Sequence, residues 1–418
     1  MTRKRLLIAL GILLLTGIAA GAVFFFLHQR AARNVHGSST QEFVTTSAPK
    51  PKPPPVPGLV WPTYGFDAAR DRVSPYPQRP PYREMWRFPG RALIEFPPVI
   101  GYGRLYVANN SGVLFAVDAT TGKEVWSFDS GRVQAASPAL DAHLVFHTFL
   151  YRRKRAGTTQ NGELVALSAA TGKVRWHRIL AAPSESSPLV RDGRVYVGDW
   201  SGRVYCFSER TGRPVWTAQT GGAVKGAVSA SGGKLYVGSY DHHLYSFDAR
   251  TGKELWRASV QTRFGALGRF YSSPAVAYGR VYVGATDGRV YSYGATTGTI
   301  RWSYETGGYV YASPAVSQNR VFAGSYDHYF YAFNAATGSV LWRFDAHGRI
   351  SGSATVVAGL VYFSTLEGRT YALDVRTGAL EWSYPDGQYT PVVVDQHRLY
   401  LVGGGTVHAL VSRAPSRR

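Results

Sequence analysis

Two histidines at matching places in the sequence are the first side chains that could bind a metal. His242 follows Asp241 in GSYDHHLY, and His328 follows Asp327 in GSYDHYFY. Similar stretches elsewhere carry glycine at this place, namely Gly112, Gly202, Gly288 and Gly368. Because His tolerates the left-handed backbone region and Asp-Gly is a hairpin dipeptide, we expect both histidines to be turn residues. A metal site built on their imidazoles is the alternative.

The single cysteine, Cys206, limits the redox and metal chemistry of the chain. One thiol excludes an intrachain disulfide, a vicinal cysteine pair and a multi-thiolate metal site. Cys206 stands in RVYCFSE, where similar stretches carry Ser246, Ser292, Ala332 or Ala372. We therefore expect it to be buried as a small apolar residue and unreactive.

A run of four basic residues suggests a surface for an anionic partner. Arg152, Arg153, Lys154 and Arg155 lie in TFLYRRKRAGTTQN (148–161), and a second irregular stretch, QTRFGALGRF (261–270), carries Arg269. Such insertions form loops that can carry recognition at little cost to a core. With a net charge of +21, they predict binding to an acidic envelope protein, an envelope polymer or phospholipid headgroups. A solvated loop without a partner is the alternative.

The N-terminal sequence predicts a membrane anchor. Residues 6–27 carry no charge, and as a helix they would extend about 33 Å, enough for a hydrocarbon core of roughly 30 Å. The basic tip at 1–5 places the N-terminus in the cytoplasm. We therefore expect a single-pass protein of the bacterial cytoplasmic membrane, whose body lies in the periplasm or outside the cell, away from nucleic acid. A cleaved signal peptide is the alternative. Residues 28–60, which include PKPKPPPVPG, are expected to form an extended linker.

One unit repeats through residues 61–412. Thr-Gly followed four residues later by Trp occurs seven times, at intervals of 40 to 50 residues. Each unit holds four short segments rich in Val, Tyr, Phe and Trp and bounded by Gly, Asp or Asn, which is typical of strands and hairpins. A lone four-stranded sheet cannot bury both faces, whereas sheets arranged radially pack on each other. The repeat therefore predicts a β-propeller.

The repeat count predicts eight blades closed by the two ends of the body. Segments like GRVYVG number eight, but only seven tryptophan strands follow them, and REMWRF (83–88) supplies the eighth. The expected fold is all-β, an eight-bladed propeller of four-stranded antiparallel blades with N/C strand closure. One N-terminal transmembrane helix precedes it, and a basic tail follows at 413–418. The outer-strand tryptophans are expected to pack between blades: Trp86, Trp126, Trp176, Trp216, Trp256, Trp302, Trp342 and Trp382.

The Thr-Gly turns account for many of the acidic residues. A side-chain oxygen three residues before the Thr can accept hydrogen bonds from turn amides. The residues at this place are Asp118, Ser168, Ser208, Asp248, Gly294, Asn334 and Asp374. Six of them carry such an oxygen and Gly294 does not. We therefore interpret these carboxylates as turn caps and not as catalytic acids.

These motifs resemble a known family. DATTGKEVW (118–126), DARTGKELW (248–256), DVRTGALEW (374–382) and the opening WPTYGFDAARDRVSP (61–75) are similar to the PQQ-like (quinoprotein-type) eight-bladed propellers, which include BamB and the quinoprotein dehydrogenases. In the dehydrogenases the resemblance implies pyrroloquinoline quinone and calcium over the central channel. Glu185, before Ser186-Ser187-Pro188, would take a calcium-ligand position, but no Asn or Asp of an equivalent loop joins it.

The loops that enter the innermost strands surround the mouth of the channel. They present Glu95, Gln134, Glu185, Lys225, Arg269, Tyr271, Tyr309, Tyr311, Arg349 and Tyr389. We expect no catalytic residue and no resident cofactor, and interpret the protein as a BamB-like scaffold that binds an envelope protein or an envelope polymer. Two alternatives are a PQQ- and calcium-dependent oxidoreductase of alcohols or sugars, and a sensory or carbohydrate-binding ectodomain.

Overall fold

The computed structural model describes residues 3–31, 33–44, 58–153, 160–261 and 268–413, with the side chains of 10–26 in the first range. One helix, α1 (Arg3–Ala31), covers the apolar N-terminal run. Among the described residues, no helix is long and apolar enough to cross a membrane. The membrane anchor that the sequence predicts over residues 6–27 stays a prediction.

Eight antiparallel sheets make up the body of the described chain, as the repeat predicts. Each sheet, or blade, has four principal strands. The innermost are β3 (Val99–Gly101), β7 (Ala139–Asp141), β11 (Leu189–Arg191), β15 (Ser229–Ser231), β19 (Ala275–Ala277), β23 (Ala315–Ser317), β27 (Thr355–Val357) and β31 (Val393–Val394). The second strands are β4 (Arg104–Ala108), β8 (Leu144–Phe149), β12 (Arg194–Gly198), β16 (Lys234–Gly238), β20 (Arg280–Gly284), β24 (Arg320–Gly324), β28 (Leu360–Thr365) and β32 (Leu399–Gly403).

The third and fourth strands complete each blade towards the outside. The third are β5 (Val113–Asp118), β9 (Glu163–Ser168), β13 (Arg203–Ser208), β17 (His243–Asp248), β21 (Arg289–Gly294), β25 (Tyr329–Asn334), β29 (Arg369–Asp374) and β33 (Thr406–Ser412). The outermost are β2 (Tyr82–Pro89), β6 (Glu124–Asp129), β10 (Val174–Ile179), β14 (Pro214–Gln219), β18 (Glu254–Ser259), β22 (Ile300–Glu305), β26 (Val340–Asp345) and β30 (Leu380–Tyr384). Blades are numbered 1 to 8 from β3.

The ring closes in blade 8, where strands from both ends of the body pair. β2 lies antiparallel to β33, with Tyr82 opposite Ser412 and Pro89 opposite Thr406. The sheet order β2-β33-β32-β31 makes β2 the outer strand that the last repeat lacks. The predicted N/C closure is therefore confirmed, and it pairs an edge that would otherwise be free.

The outer-strand tryptophans join each blade to the next. The indole of Trp126 packs on Gly172 in the Thr-Gly turn of blade 2, and its Nε1 donates to the carbonyl of Ala169, 3.0 Å away. Trp302 makes the same contact with Gly338 and Ala335, at 2.9 Å, and is fully buried. Trp86 continues the series across the closure, since it packs on Gly122 of blade 1. A Cβ on these turn glycines, whose φ is positive, would collide with the indole.

An axial segment, residues 59–74, lies inside the ring. Its strand β1 (Leu59–Trp61) pairs with β3 at the innermost edge of blade 1. The carbonyls of Pro62, Ala68, Ala69, Asp71 and Arg72 then accept amides from the innermost strands of blades 2, 4, 5, 6 and 7 in turn, at 2.7–2.9 Å. The channel is thus filled by the chain's own N-proximal segment.

A second N-terminal segment contacts the outside of the ring. Residues 33–44, which we name the strap, fall within the predicted extended linker, but they lie on blades 5 and 6. Val35 pairs with Ser303 of β22, and Phe43 packs on Tyr278, with the ring centroids 5.3 Å apart. The proline-rich part of the predicted linker and most of the predicted basic tail lie outside the described residues.

Candidate functional site at the channel mouth

A cavity of about 260 Å³ opens at the end of the ring where the loops enter the innermost strands. Side chains from seven blades and the axial segment meet there, because each loop ends beside the axis. Tyr64 of the axial segment lines the cavity and bonds to the hydroxyl of Ser353 at 2.8 Å. The predicted mouth residues that line the cavity are Glu95, Glu185, Lys225, Tyr271, Tyr311 and Tyr389.

An ion pair between blades 3 and 4 forms part of the wall of this cavity. Lys225 Nζ lies 2.9 Å from Glu185 Oε1, and the hydroxyl of Tyr271 donates to Glu185 Oε2 at 3.2 Å. The ammonium also lies 4.3 Å from the ring centroid of Trp200 and 5.4 Å from that of Tyr240, which is cation–π geometry. Both oxygens of Glu185 are therefore engaged by side chains of the protein.

Burial and neighbouring charge shift the ionisation of three mouth residues. Burial raises the pKa of Glu95, and the carboxylate of Glu185 adds to the rise. Burial and the same carboxylate raise the pKa of Tyr271 well above its usual value. Burial also acts to raise the pKa of Tyr64, but the charge of Arg72 and the serine hydrogen bonds together outweigh it and lower that pKa. The guanidinium of Arg72 lies 4.2 Å from the Tyr64 ring centroid.

Tyrosines form the rim of the cavity. Tyr311 contacts Tyr271 and Tyr326 edge-on, with ring centroids 5.5 and 5.0 Å apart. Tyr309 packs on both Tyr311 and Tyr326 and is 52% exposed, while Tyr389 is 37% exposed. The rim thus offers rigid aromatic faces to solvent beside the cavity.

Four predicted mouth residues do not line the cavity. Gln134 is buried and bonds to the backbone at Ala108 and Ala136. Arg269 and Arg349 are exposed; their guanidiniums lie 5.4 and 6.0 Å from the rings of Tyr240 and Tyr326. Tyr309 stands on the rim described above.

Three aromatic residues at the mouth are not among those that the sequence predicts. Trp200, Tyr240 and Tyr326 hold the same place in their repeats, directly after the small or acidic residue that follows the second strand. The signal is present in GDW, GSYDHH and GSYDHY, but it does not show that Tyr326 lines the cavity or that Trp200 and Tyr240 contact Lys225. Tyr64 and Phe96, which line the cavity, are two more. Tyr64 belongs to the axial segment, whose path carries no periodic signal.

The predicted basic cluster is only partly described. Arg152 and Arg153 are exposed. Arg153 Nη2 lies 2.6 and 2.7 Å from the two carboxylate oxygens of Asp129. Lys154 and Arg155 lie outside the described residues. One member of the run is therefore already paired within the protein.

The histidines adopt the predicted turn conformation. His242 and His328 have φ values of 74° and 75°, in the left-handed region. They lie in hairpins of blades 4 and 6, and the ring of His242 contacts the carbonyl of Gly268 at 3.1 Å. Across the described ranges, no group of three His, Cys, Asp or Glu side chains could hold a metal ion. Cys206 is buried, and burial raises the pKa of its thiol to about 11.

The carboxylates of the mouth do not suit the calcium ion that the resemblance implies for dehydrogenases. Calcium takes six to eight oxygen ligands. Among the residues that the structure describes, only two carboxylates, of Glu95 and Glu185, line the cavity, and an ammonium lies against Glu185. A divalent cation bound to Glu185 would displace Lys225 from the carboxylate, and the positive charge of the nearby ammonium would then repel the cation. The donor set therefore does not form a calcium site.

Comparisons with known proteins point to two groups that share this fold. The chain matches the family described as "Outer membrane protein assembly factor BamB" over residues 152–200, 200–312 and 309–414. It matches "Glucose/ethanol/alcohol dehydrogenase, beta-propeller domain" over residues 81–174.

Individual relatives are similar at low identity. BamB of Bordetella pertussis is 28% identical over 134 residues, which is 29% of this chain and 33% of the relative. The quinohemoprotein alcohol dehydrogenase of Comamonas testosteroni is 32% identical over 160 residues, which is 33% of this chain and 22% of the relative. The matches thus span a third or less of these curated relatives. The crystal structure of the Comamonas enzyme superposes with a TM-score of 0.71 at 15% identity, covering 86% of this chain and 81% of that one. The chain therefore belongs to the PQQ-like, BamB-like family of eight-bladed β-propellers.

Proposed function

We propose that this propeller is a non-catalytic scaffold that binds a protein partner of the bacterial cell envelope at its channel mouth. The observation that carries the proposal is the engagement of Glu185 by Lys225 and Tyr271, at 2.9 and 3.2 Å. The residue that would serve a catalytic cation is held in an internal ion pair. What the mouth still offers to solvent is aromatic surface, with the guanidiniums of Arg269 and Arg349 beside it.

That aromatic surface suits a protein partner. Tyrosine supplies a large contact area with few rotatable bonds, and it is enriched among the residues that dominate protein–protein binding. Tyr309 and Tyr389 project from the rim, while the side chains behind them pack on one another. A partner side chain entering the cavity would meet tyrosine hydroxyls and Glu95, so polar contacts could fix its register.

The envelope location rests on the relatives. The family described as "Outer membrane protein assembly factor BamB" matches the larger part of the propeller. The exposed Arg152 and the net positive charge of the chain add attraction for an acidic partner or an anionic envelope polymer. We place the protein partner first because the rim is aromatic and the ammonium of Lys225 beside it is paired.

Site-specific photo-crosslinking in living cells tests the partner. A photoreactive residue at Tyr309 or Tyr389 should crosslink to one envelope protein, identified by mass spectrometry. The matched control is the same group at Lys123, which is exposed in a Thr-Gly turn at the opposite end of the ring. Adducts with polysaccharide at the rim, or equal protein adducts at Lys123, would contradict the proposal.

A second experiment separates the scaffold from the oxidoreductase. Purified protein incubated with pyrroloquinoline quinone and calcium should form no stoichiometric complex and show no dye-linked oxidation of alcohols or sugars. The Lys225→Ala variant should behave in the same way, because removing the lysine leaves too few oxygen ligands. Turnover by the wild-type protein would overturn the proposed function.

A further inference from the structure

Blade 5 departs from the other blades at its Thr-Gly turn. In blades 1, 4 and 7, Asp118, Asp248 and Asp374 accept hydrogen bonds from the turn, including the threonine hydroxyl at 2.8–2.9 Å. Blade 5 carries Gly294 at this place and so has no side-chain acceptor of its own. The sequence shows the gap but not what fills it.

Glu42 of the strap fills the gap. Its Oε2 accepts a hydrogen bond from Thr297 Oγ1 at 3.0 Å, as the aspartates do in the other turns. The same oxygen lies in the space that a Cβ on Gly294 would need. A carboxylate from 252 residues away in the chain thus replaces the one that the local sequence lacks.

Two arginines of blade 5 bind the strap, one through its backbone carbonyls and one through Glu42. In blades 1 and 3, Arg104 and Arg194 each use Nη1 to bind two carbonyls of the adjacent blade. Arg280 does the same in blade 5, but its Nη2 also donates to the carbonyls of Ser38 and Gln41, at 2.7 and 2.8 Å, and the side chain is fully buried. Arg301 Nη2 lies 2.6 Å from Glu42 Oε2.

The fit of the strap extends over its whole length. Asn34 Oδ1 accepts the backbone amide of Glu305 at 2.8 Å, and Gly37 donates to the carbonyl of Thr337 at 2.9 Å. A Cβ on Gly37 would collide with the carbonyls of Ala336 and Arg301. The amide of Val44 donates to the carbonyl of Tyr278 at 3.2 Å. Backbone contacts at both ends and a charged contact in between are the features of a specific peptide site.

We propose that blades 5 and 6 carry a binding site for an extended peptide with one anchoring carboxylate, which the strap occupies through Glu42. The site lies at the Thr-Gly end of the ring, opposite the channel mouth. The strap itself therefore does not cover the mouth. The peptide site is independent of what the mouth binds.

A double-mutant cycle in the full-length protein tests the proposal. Glu42→Ala should speed amide hydrogen exchange at Gly37 and Val44 by about tenfold or more, because charge-assisted hydrogen bonds are lost. Gly294→Asp should do the same, since the new carboxylate caps the turn and takes the place of Glu42. The backbone at Gly294 is not in the left-handed region, so its conformation allows a side chain, but the new Cβ must displace the Oε2 of Glu42. In the Gly294→Asp background, Glu42→Ala should have no further effect.

The matched control opens the same gap in a blade without a strap. Asp248→Gly in blade 4 should lower the melting temperature but leave the effect of Glu42→Ala unchanged. Circular dichroism of each variant establishes that the propeller is folded. Equal effects of Glu42→Ala in the wild-type and Gly294→Asp backgrounds, or unchanged exchange at Gly37 and Val44 in all variants, would overturn the proposal.

Discussion

Replacing His147 with valine should make the propeller less sensitive to acid. His147 lies on β8 of blade 2, fully buried, with its ring centroid 4.8 Å from that of Phe149. Neither ring nitrogen has a hydrogen-bond partner among the described residues. The equivalent positions of blades 1, 3 and 4 carry Val107, Val197 and Val237. Valine is therefore the residue that the repeat itself favours at this place.

The magnitude follows from the cost of charging a buried imidazole. Burial lowers the pKa of His147 from 6.5 to about 3. Between these values the unfolded chain binds a proton that the folded protein does not, so stability rises with pH and is lost as the pH falls below about 6.5. Each pH unit is worth about 1.4 kcal/mol, so the free energy of unfolding should fall by about 2 kcal/mol between pH 7.5 and pH 5 through this residue alone.

Urea denaturation followed by tryptophan fluorescence measures the effect at the two pH values. The wild-type protein should lose about 2 kcal/mol more than His147→Val on going to pH 5. Other titrating groups contribute equally to both proteins and cancel. His397→Val, at an exposed histidine, is the control and should follow the wild type. Parallel pH dependence of wild type and His147→Val would refute the argument from burial.

Two further predictions concern the mouth and the closure. Lys225→Met should lower the free energy of unfolding by about 2–3 kcal/mol, because it leaves the largely buried Glu185 without its cation. Adding Glu185→Gln should recover most of that loss. If the two substitutions have strictly additive costs in urea denaturation, the pairing is contradicted. Trp86→Ala should cost about 3 kcal/mol and should speed amide exchange in β2 more than Trp256→Ala speeds it in β18. The reason is that β2 pairs with β33 from the other end of the chain, whereas a Thr-Gly turn joins β18 to its partner β17. Equal exchange in the two strands would count against that view.

The fold is largely predictable because the repeat is expressed in local patterns. Strand periodicity, Thr-Gly turns and spaced tryptophans report each blade separately, and the missing eighth outer strand points to Trp86. Likewise, knowing where each loop enters the ring is enough to place Glu185, Lys225 and Tyr271 near one another.

Other features depend on contacts that no periodic pattern reports. The pairing of Glu185 with Lys225 joins two blades whose loops are 40 residues apart, and only side-chain geometry decides it. The strap and the axial segment lack strand periodicity, so composition does not reveal their contacts with the ring. The membrane anchor is predicted from hydropathy and length alone, and it stays a prediction.

The axial segment makes the order of the chain matter to the architecture. Five of its carbonyls serve five different blades, so the segment belongs to the interior of the ring although it precedes every blade in sequence. A circular permutant that starts after residue 75 and carries the axial segment at its C-terminus would have to thread that segment into a ring that is already closed. A permutant that starts at residue 45, between the strap and the axial segment, keeps the segment ahead of every blade, so the blades can assemble around it.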